Sequence, residues 1–223
     1  IPDFVAKLPH RPVVSAFTAT ATAEVQADIV QRLELIDPVK IVTGFDRPNL
    51  YFEVRRPTQK LPLLTQLVED RAGRSGIIYC ATRANVEKVC DHLRQRGIPA
   101  TRYHAGLSEA ERRQNQDDFQ FDRAPVMVAT NAFGMGIDKS NVSYVFHFNM
   151  PKSLEAYYQE AGRAGRDGEA AECILLFAQG DVATAEFFIH QSGDNNEALT
   201  PAELEEIQAR DYQRLEAMVG YCK

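Results

Sequence analysis

The run Gln159-Glu160-Ala161-Gly162-Arg163-Ala164-Gly165-Arg166-Asp167-Gly168 holds the side chains best suited to chemistry. Each glycine costs a helix about 1 kcal/mol relative to alanine, so two of them three residues apart need a reason, such as close approach of the backbone to a neighbour or ligand. Arg163 and Arg166 share that spacing and, on a helix, face one way. Two guanidinium groups on one face clamp a phosphate chain, because arginine pairs bidentately and stays charged. A surface salt-bridge helix that happens to end in glycines is the alternative. A second run, Val128-Ala129-Thr130-Asn131-Ala132-Phe133-Gly134-Met135-Gly136-Ile137-Asp138-Lys139, leaves an apolar stretch for a Gly-containing loop whose N–H groups can approach phosphate. In a third, Gly76-Ile77-Ile78-Tyr79-Cys80-Ala81-Thr82-Arg83, Thr82 and Arg83 follow an apolar stretch and either hold a phosphate or cap the next helix. His104 follows a short extended piece, where a histidine touches a ligand or is satisfied structurally. Ala16-Phe17-Thr18-Ala19-Thr20-Ala21-Thr22 offers small hydroxyl groups for a switchable contact or for an ordinary helix cap.

The elements that position these runs alternate between short apolar stretches and amphipathic helices. Val13–Thr18, Lys40–Thr43, Gly76–Cys80, Ala100–Tyr103, Val126–Ala129, Val142–Phe148 and Cys173–Phe177 are predicted strands. Helices are predicted over Ala23–Leu35, along the Leu61, Leu64, Val68 stripe, and on the Val86, Val89, Cys90, Leu93 face, which Gly97 stops. Ser108 with Glu111 makes a capping box for another, and a further helix spans Ser153–Arg163. Asp181–His190 is helical and Ser192–Asn196 a loop. Thr200-Pro201-Ala202-Glu203 opens a last helix that reaches Met218. Single helices between strands imply right-handed βαβ units in a mostly parallel sheet. Ligands of such sheets gather at the carboxyl ends of strands, so the residues after Thr18, Tyr79, Tyr103 and Ala129 are the places to look. Phe45-Asp46-Arg47-Pro48-Asn49 is turn-forming and marks a boundary.

Of the 223 residues, 44% are hydrophobic and 25% charged, as in ordinary globular chains. No apolar run approaches the roughly 18 residues of a membrane span, and no basic-then-apolar start marks a signal peptide. The net charge is −6, but nine acidic and three basic residues lie from Gly180 onward, leaving the preceding part neutral. A neutral body permits DNA binding yet argues against a strong non-specific grip. Cys80, Cys90, Cys173 and Cys222 form no CxxC pair, which fits a reducing setting, and the first three suit core packing.

In this order the runs resemble the motifs of superfamily 2 helicases, in the form carried by RecQ-family ATP-dependent DNA helicases. Tyr158-Gln159-Glu160 stands where the related DEAD-box RNA helicases usually have a His, which favours RecQ. The resemblance covers nearly the whole chain and implies a RecA-like parallel sheet with helices on both faces and a C-terminal helical extension. Residues 1–45 are then the end of a first RecA-like lobe with motif III, 46–180 a second lobe with motifs IV, V and VI, and 181–223 the helical start of a zinc-binding region. It implies Arg166 as the arginine finger on the γ-phosphate of ATP and Arg163 as its companion. Gln159, Gly136 and Asp138 would complete the nucleotide contacts. Thr82, Arg83, His104, Thr130 and Asn131 would meet DNA, single-stranded or forked, and Thr18 and Thr20 would couple hydrolysis to DNA movement. Thr130 as a strand-end cap and Asp138 as a turn residue are the alternatives. Cys222 falls where the first of four zinc ligands is expected. One cysteine cannot build a tetrahedral site, so no structural zinc is expected here.

The chain has no G-x-x-x-x-G-K-[ST] and no Asp-Glu metal motif, the elements that cradle phosphates and hold Mg²⁺. A parent protein would supply them, with ATP and Mg²⁺ bound between the two lobes, and this part alone is expected to hydrolyse no ATP. The parent is expected to separate DNA strands 3′ to 5′ in a bacterial-type, nucleoid-associated cytoplasmic setting. A DEAD-box-like RNA helicase lobe and a non-catalytic RecA-like docking module are the rivals. A Rossmann dehydrogenase lacks its G-x-G-x-x-G after the first strand.

Overall fold

Successive residues of a strand point to opposite faces of the sheet, and the four central strands of this chain are apolar on both. Ile77 and Ile78, Met127 and Val128, Val145 and Phe146, and Ile174 and Leu175 all lie in the core, the first residue of the first three pairs on one face and the second on the other. A sheet apolar on both sides must be covered on both sides, the condition of a parallel α/β sheet. The computed structural model describes residues 1–18, 23–42, 46–131, 133, 139–194 and 200–223. Thr20, Gly136 and Asp138 lie outside them. The chain forms two compact units, Ile1–Arg47 and Pro48–Lys223.

In the first unit, α1 (Pro2–Val5) and α2 (Ala23–Arg32) are helical. Helix α2 ends earlier than its apolar spacing predicts, and Glu34 beyond it takes a positive φ of 48°. Arg11 donates to the Glu34 carbonyl at 2.6 Å. The strands predicted over Val13–Thr18 and Lys40–Thr43 are absent from the described residues there. Val13, Phe17, Val39 and Ile41 are 84–95% exposed. A strand needs a ladder partner, and an apolar alternation without one stays extended coil.

The second unit holds β1 (Leu50–Arg55), α3 (Lys60–Glu69), β2 (Ser75–Tyr79), α4 (Arg83–Gln95), β3 (Ala100–Tyr103), α5 (Glu109–Gln120), β4 (Val126–Ala129), β5 (Val142–His147), α6 (Leu154–Ala161), β6 (Ala171–Leu176), α7 (Gln179–Asp194) and α8 (Pro201–Cys222). The sheet order is β1-β6-β5-β2-β4-β3, with every pair parallel. Strand β1 was not expected: it follows directly on the turn-forming 45–49 stretch and, among the described residues, pairs only with β6, Leu50 opposite Ala171. Helices α3 and α4 bury Leu64, Leu67, Val86, Val89 and Leu93 on one face of the sheet. Phe119 of α5, Tyr157 of α6 and Leu215, Met218 and Cys222 of α8 cover the other. Both expected capping boxes are formed, Ser108 with Glu111 and Thr200 with Glu203. Helix α8 runs on past Met218 to Cys222, and α7 takes in residues 192–194 that were expected in a loop. All four cysteines are buried as free thiols.

This order places the carboxyl ends of β4, β2 and β5 side by side at the centre of the sheet. The chain leaves β2 towards one edge and later returns to its other side with β5. Such a reversal opens a crevice above the strand ends, where ligands of open α/β sheets bind.

Candidate nucleotide and nucleic-acid interface

Ser153 caps α6, its hydroxyl accepting from the Ala156 N–H at 3.2 Å. The helix closes at Ala161, two residues short of the expected Arg163. From Gly162 to Asp167 the chain is a series of turns. The two arginines therefore do not share a helix face, a correction that follows from the glycines. Gly165 has a φ of +56°, a conformation that α-helix excludes and side chains resist. Backbone bonds fix the turns: Ala164 N–H to the Ala161 carbonyl at 3.0 Å, Gly165 N–H to that of Val142 at 2.9 Å, and Gly168 N–H to that of Gly165 at 3.1 Å. Ala164 is fully buried, so the run is pinned from beneath, with Arg163 half-buried and Arg166 exposed.

Tyr79 at the end of β2 lies under this run. Its hydroxyl donates to the Phe133 carbonyl at 3.1 Å. Burial pushes that hydroxyl's pKa well above the ordinary range, while Arg163, which also hydrogen-bonds to it, and more weakly Arg166 pull it down. Arg163 thus reaches the Tyr79 hydroxyl at the end of β2, while the turn that carries Arg166 is tied to Val142 at the start of β5. The Tyr79 ring stacks on His147 at 5.3 Å between centroids. His147, 1% exposed, meets the Glu160 carboxylate through Nε2 at 2.8 Å. Glu160 belongs to α6, so the last residues of β2 and β5 connect the loop after β4 to the helix that leads into the arginines. A cavity of about 430 Å³ opens beside them, walled by Tyr79, His147, Glu160, Asn131, Phe188 and Leu215.

The polar residues assigned to DNA flank the same strand ends. Thr82 caps α4, its hydroxyl accepting from the Asn85 N–H at 3.1 Å, and Arg83 beside it is exposed. Thr130 continues the ladder, its N–H donating to the Tyr103 carbonyl at 3.1 Å, and Asn131 is exposed. His104 differs. It is 4% exposed, Nε2 meets Glu87 at 2.7 Å and Nδ1 accepts from the Gly106 N–H at 3.1 Å. Both ring nitrogens are engaged inside the protein, the structural alternative for this residue. Lys139 also turns inward, ion-paired with Asp122 at 2.7 Å. Thr18 is exposed in the first unit. Gln159 lies on α6, one residue before Glu160.

Behind the loop at Ala81 sits a polar network that no motif announces. Asn149 accepts from the Ala81 N–H at 3.1 Å and from Asn85 Nδ2 at 3.0 Å, and donates to Asp181 at 3.0 Å. Asp181 pairs with Lys60 Nζ at 2.5 Å. The rule that pointed to the residues after Tyr79, applied to the predicted strand Val142–Phe148, would have found Asn149. Cys222 is fully buried against the sheet, and burial pushes its thiol up to about 11. A zinc ligand must be a thiolate. No group of three or more His, Cys, Asp or Glu side chains stands together among the described residues. These residues therefore do not fit a zinc or magnesium centre by themselves. No helix among them is long and apolar enough to cross a membrane.

Residues 59–168 match the helicase conserved C-terminal domain. The chain is 44% identical to the ATP-dependent DNA helicase RecQ of Bacillus subtilis over 97% of its own length and 35% of that protein's. It is 46% identical to RecQ of Haemophilus influenzae over 80% of this chain and 29% of that one. With the ATP-dependent helicase SGS1 of Saccharomyces cerevisiae it shares 37% over 98% of this chain and 15% of that one. A solved structure of a S. cerevisiae Dbp5 variant bound to Gle1 and IP6 has the same fold, with a TM-score of 0.63, at 21% identity, covering 96% of this chain and 57% of that one. The chain belongs to the RecQ family of superfamily 2 helicases and carries the family's C-terminal helicase lobe. It spans about a third of the length of the bacterial relatives it matches.

Proposed function

We propose that this lobe supplies the arginine face of an ATP-driven DNA translocase whose other RecA-like lobe holds the nucleotide's remaining phosphates. ATP lies between the lobes. Arg166 reaches the γ-phosphate and Arg163 stands beside it, with Gln159, Gly136 and Asp138 completing the nucleotide contacts. Negative charge spreads over the equatorial oxygens as the phosphoryl group transfers, and a fixed guanidinium stabilises it. Thr82, Arg83, Thr130 and Asn131 hold the DNA backbone, while His104 braces the loop beneath them through Glu87 and Gly106. Thr18 and Thr20 belong to the coupling segment. Residues 1–45 close the first lobe, 46–180 form the second, and 181–223 begin the helical extension. Closure of the lobes on ATP and their release after hydrolysis shift the grip on DNA and separate strands in the 3′ to 5′ direction. A cytoplasmic, nucleoid-associated protein is the setting this reading implies.

The observation that carries the proposal is the pair of arginines on a turn whose backbone is pinned to Val142, the first residue of β5, and to Asn49 just before β1, one arginine half-buried and one exposed. A structural salt bridge does not need a backbone so tightly fixed. The test is ATP hydrolysis by the full-length parent, with and without single-stranded DNA, for wild type and Arg166→Ala. Arginine fingers are worth about 10³- to 10⁵-fold in rate, so the variant is expected to lose about 10³-fold of the DNA-stimulated rate while melting as wild type does. Equal hydrolysis by the two proteins would refute the assignment.

A further inference from the structure

A side chain from outside the arginine turn holds it. Asn49 lies immediately before β1, and its Nδ2 donates to the Gly165 carbonyl at 2.8 Å and to the Glu169 carbonyl at 2.9 Å. Its own carbonyl accepts from the Ala171 N–H at 2.9 Å. The two accepting carbonyls bracket Arg166 in sequence, one on the residue before it and one three residues after. They are 116 and 120 residues from Asn49 along the chain, so the contact is purely tertiary.

Gly165 leaves the room the amide occupies. A Cβ built there would stand 2.5 Å from Asn49 Nδ2 and 2.7 Å from the Glu169 carbonyl oxygen. The glycine thus serves two ends, a positive φ and a space one carboxamide wide. Arg166 is exposed and projects from this turn. The point from which it leaves the chain is set by the turn backbone, which is tied on one side by the Gly165 N–H to Val142 and on the other by Asn49.

We propose that Asn49 is a positioning residue for the arginine pair: its carboxamide fixes the turn from which Arg166 projects. This rests on the reading of Arg166 as the group that meets the nucleotide. The chemistry requires an amide. Aspartate has the same shape, but ionised it has no N–H to give and sets a carboxylate against two carbonyl oxygens. A misplacement of about 1 Å in a catalytic group costs on the order of 10²-fold in rate.

The experiment uses the full-length parent with single-stranded DNA and compares wild type, Asn49→Asp, Arg166→Ala and the double variant. Asn49→Asp is expected to lower kcat for ATP hydrolysis about 10- to 100-fold, with KM for ATP within about twofold of wild type. In the Arg166→Ala background it is expected to add nothing, because the group it aims is gone. A kcat within twofold of wild type, or a further loss on top of Arg166→Ala, overturns the inference. Where Asn49→Asp melts too low to assay, Asn49→Ala removes the donors without adding charge and is judged by the same two criteria. A wild-type rate in Arg166→Ala brings down the reading of the arginine itself. A wild-type rate in Asn49→Asp beside a disabled Arg166→Ala brings down only the role of Asn49.

Discussion

Replacing Asp181 by Ala strands a cation inside the protein. Asp181 accepts from Lys60 Nζ at 2.5 Å, from Asn149 Nδ2 at 3.0 Å and from the Ala178 N–H at 3.0 Å. The Lys60 and Asp181 side chains are only 11% and 6% exposed. Without the carboxylate, Lys60 keeps the Phe148 carbonyl at 2.8 Å and the Phe148 ring at 5.6 Å, neither of which neutralises it. Removing one partner of a buried pair costs about 3–5 kcal/mol. For a domain of this size about 2–4 °C of melting temperature goes with each kcal/mol, so Asp181→Ala should melt roughly 6–20 °C below wild type at neutral pH. The pH dependence carries a sign. Burial already holds the Lys60 pKa below its ordinary value, with Asp181 opposing it. Loss of Asp181 lowers it further. A cation with a depressed folded pKa destabilises while it is charged in the folded state. That penalty fades as pH rises from the folded pKa towards the unfolded one. The deficit should therefore be largest near pH 7 and shrink by about pH 9.5, while Lys60→Met with Asp181→Leu recovers most of it. Calorimetry of the chain at the two pH values decides. A deficit under about 3 °C at pH 7, or one as large at pH 9.5 as at pH 7, refutes the reasoning.

Two other outcomes are expected. A Cβ on Gly76 would sit 2.0 Å from Cε2 of Tyr144, a ring that is fully buried and stacked on Phe146 at 4.5 Å. Overpacking costs about 1–3 kcal/mol, and Gly76→Ala should fall at the upper end because β2 is paired on both sides. An unchanged melting temperature would mean the ring steps aside freely. Acid should destabilise the chain through particular carboxylates. Hydrogen bonds from Lys139 and Ser75 lower the pKa of Asp122, and the caps Ser108 and Thr200 lower those of Glu111 and Glu203. Depressed carboxyl groups stabilise above their unfolded pKa values and lose that contribution as pH falls through the folded ones. Melting temperature should therefore drop from about pH 5 to about pH 3, less steeply in Ser108→Ala with Thr200→Ala. Equal slopes for variant and wild type would sink the assignment to the caps.

What the sequence disclosed and what it hid divide along the range of the interactions. The two S/T-x-x-E boxes lie within four residues of chain, and both formed as expected. Strands β2, β4, β5 and β6 are apolar on both faces, and the predicted bounds of β2 to β6 were off by no more than two residues. The same apolar signal misled at Val13–Thr18 and Lys40–Val42, since a strand also requires a neighbour. It was passed over at Leu50–Arg55, where Tyr51 is 58% exposed and the partner strand starts at Ala171. The arginine pair was legible by type, but its geometry depended on Gly165 taking a positive φ, which helical spacing does not express. Asn49, His147 and Asn149 sit in no phosphate-binding pattern. Their roles arise from partners that folding brings to them.

The pairing of β1 with β6 sets a delay in the life of every copy. Leu50 meets Ala171, about 120 residues later. At a synthesis rate of about 5–20 residues per second, the first strand leaves the ribosome roughly 6–24 seconds before the strand it belongs beside. Over that interval Leu50, which belongs to the core, and Phe52 and Val54, which pack against it, have no permanent shelter. Asn49 has no carbonyls to hold until the same moment. The arginine turn and the edge of the sheet are therefore completed together, ahead only of the helices α7 and α8 that follow, and a nascent chain cut short before β6 has neither.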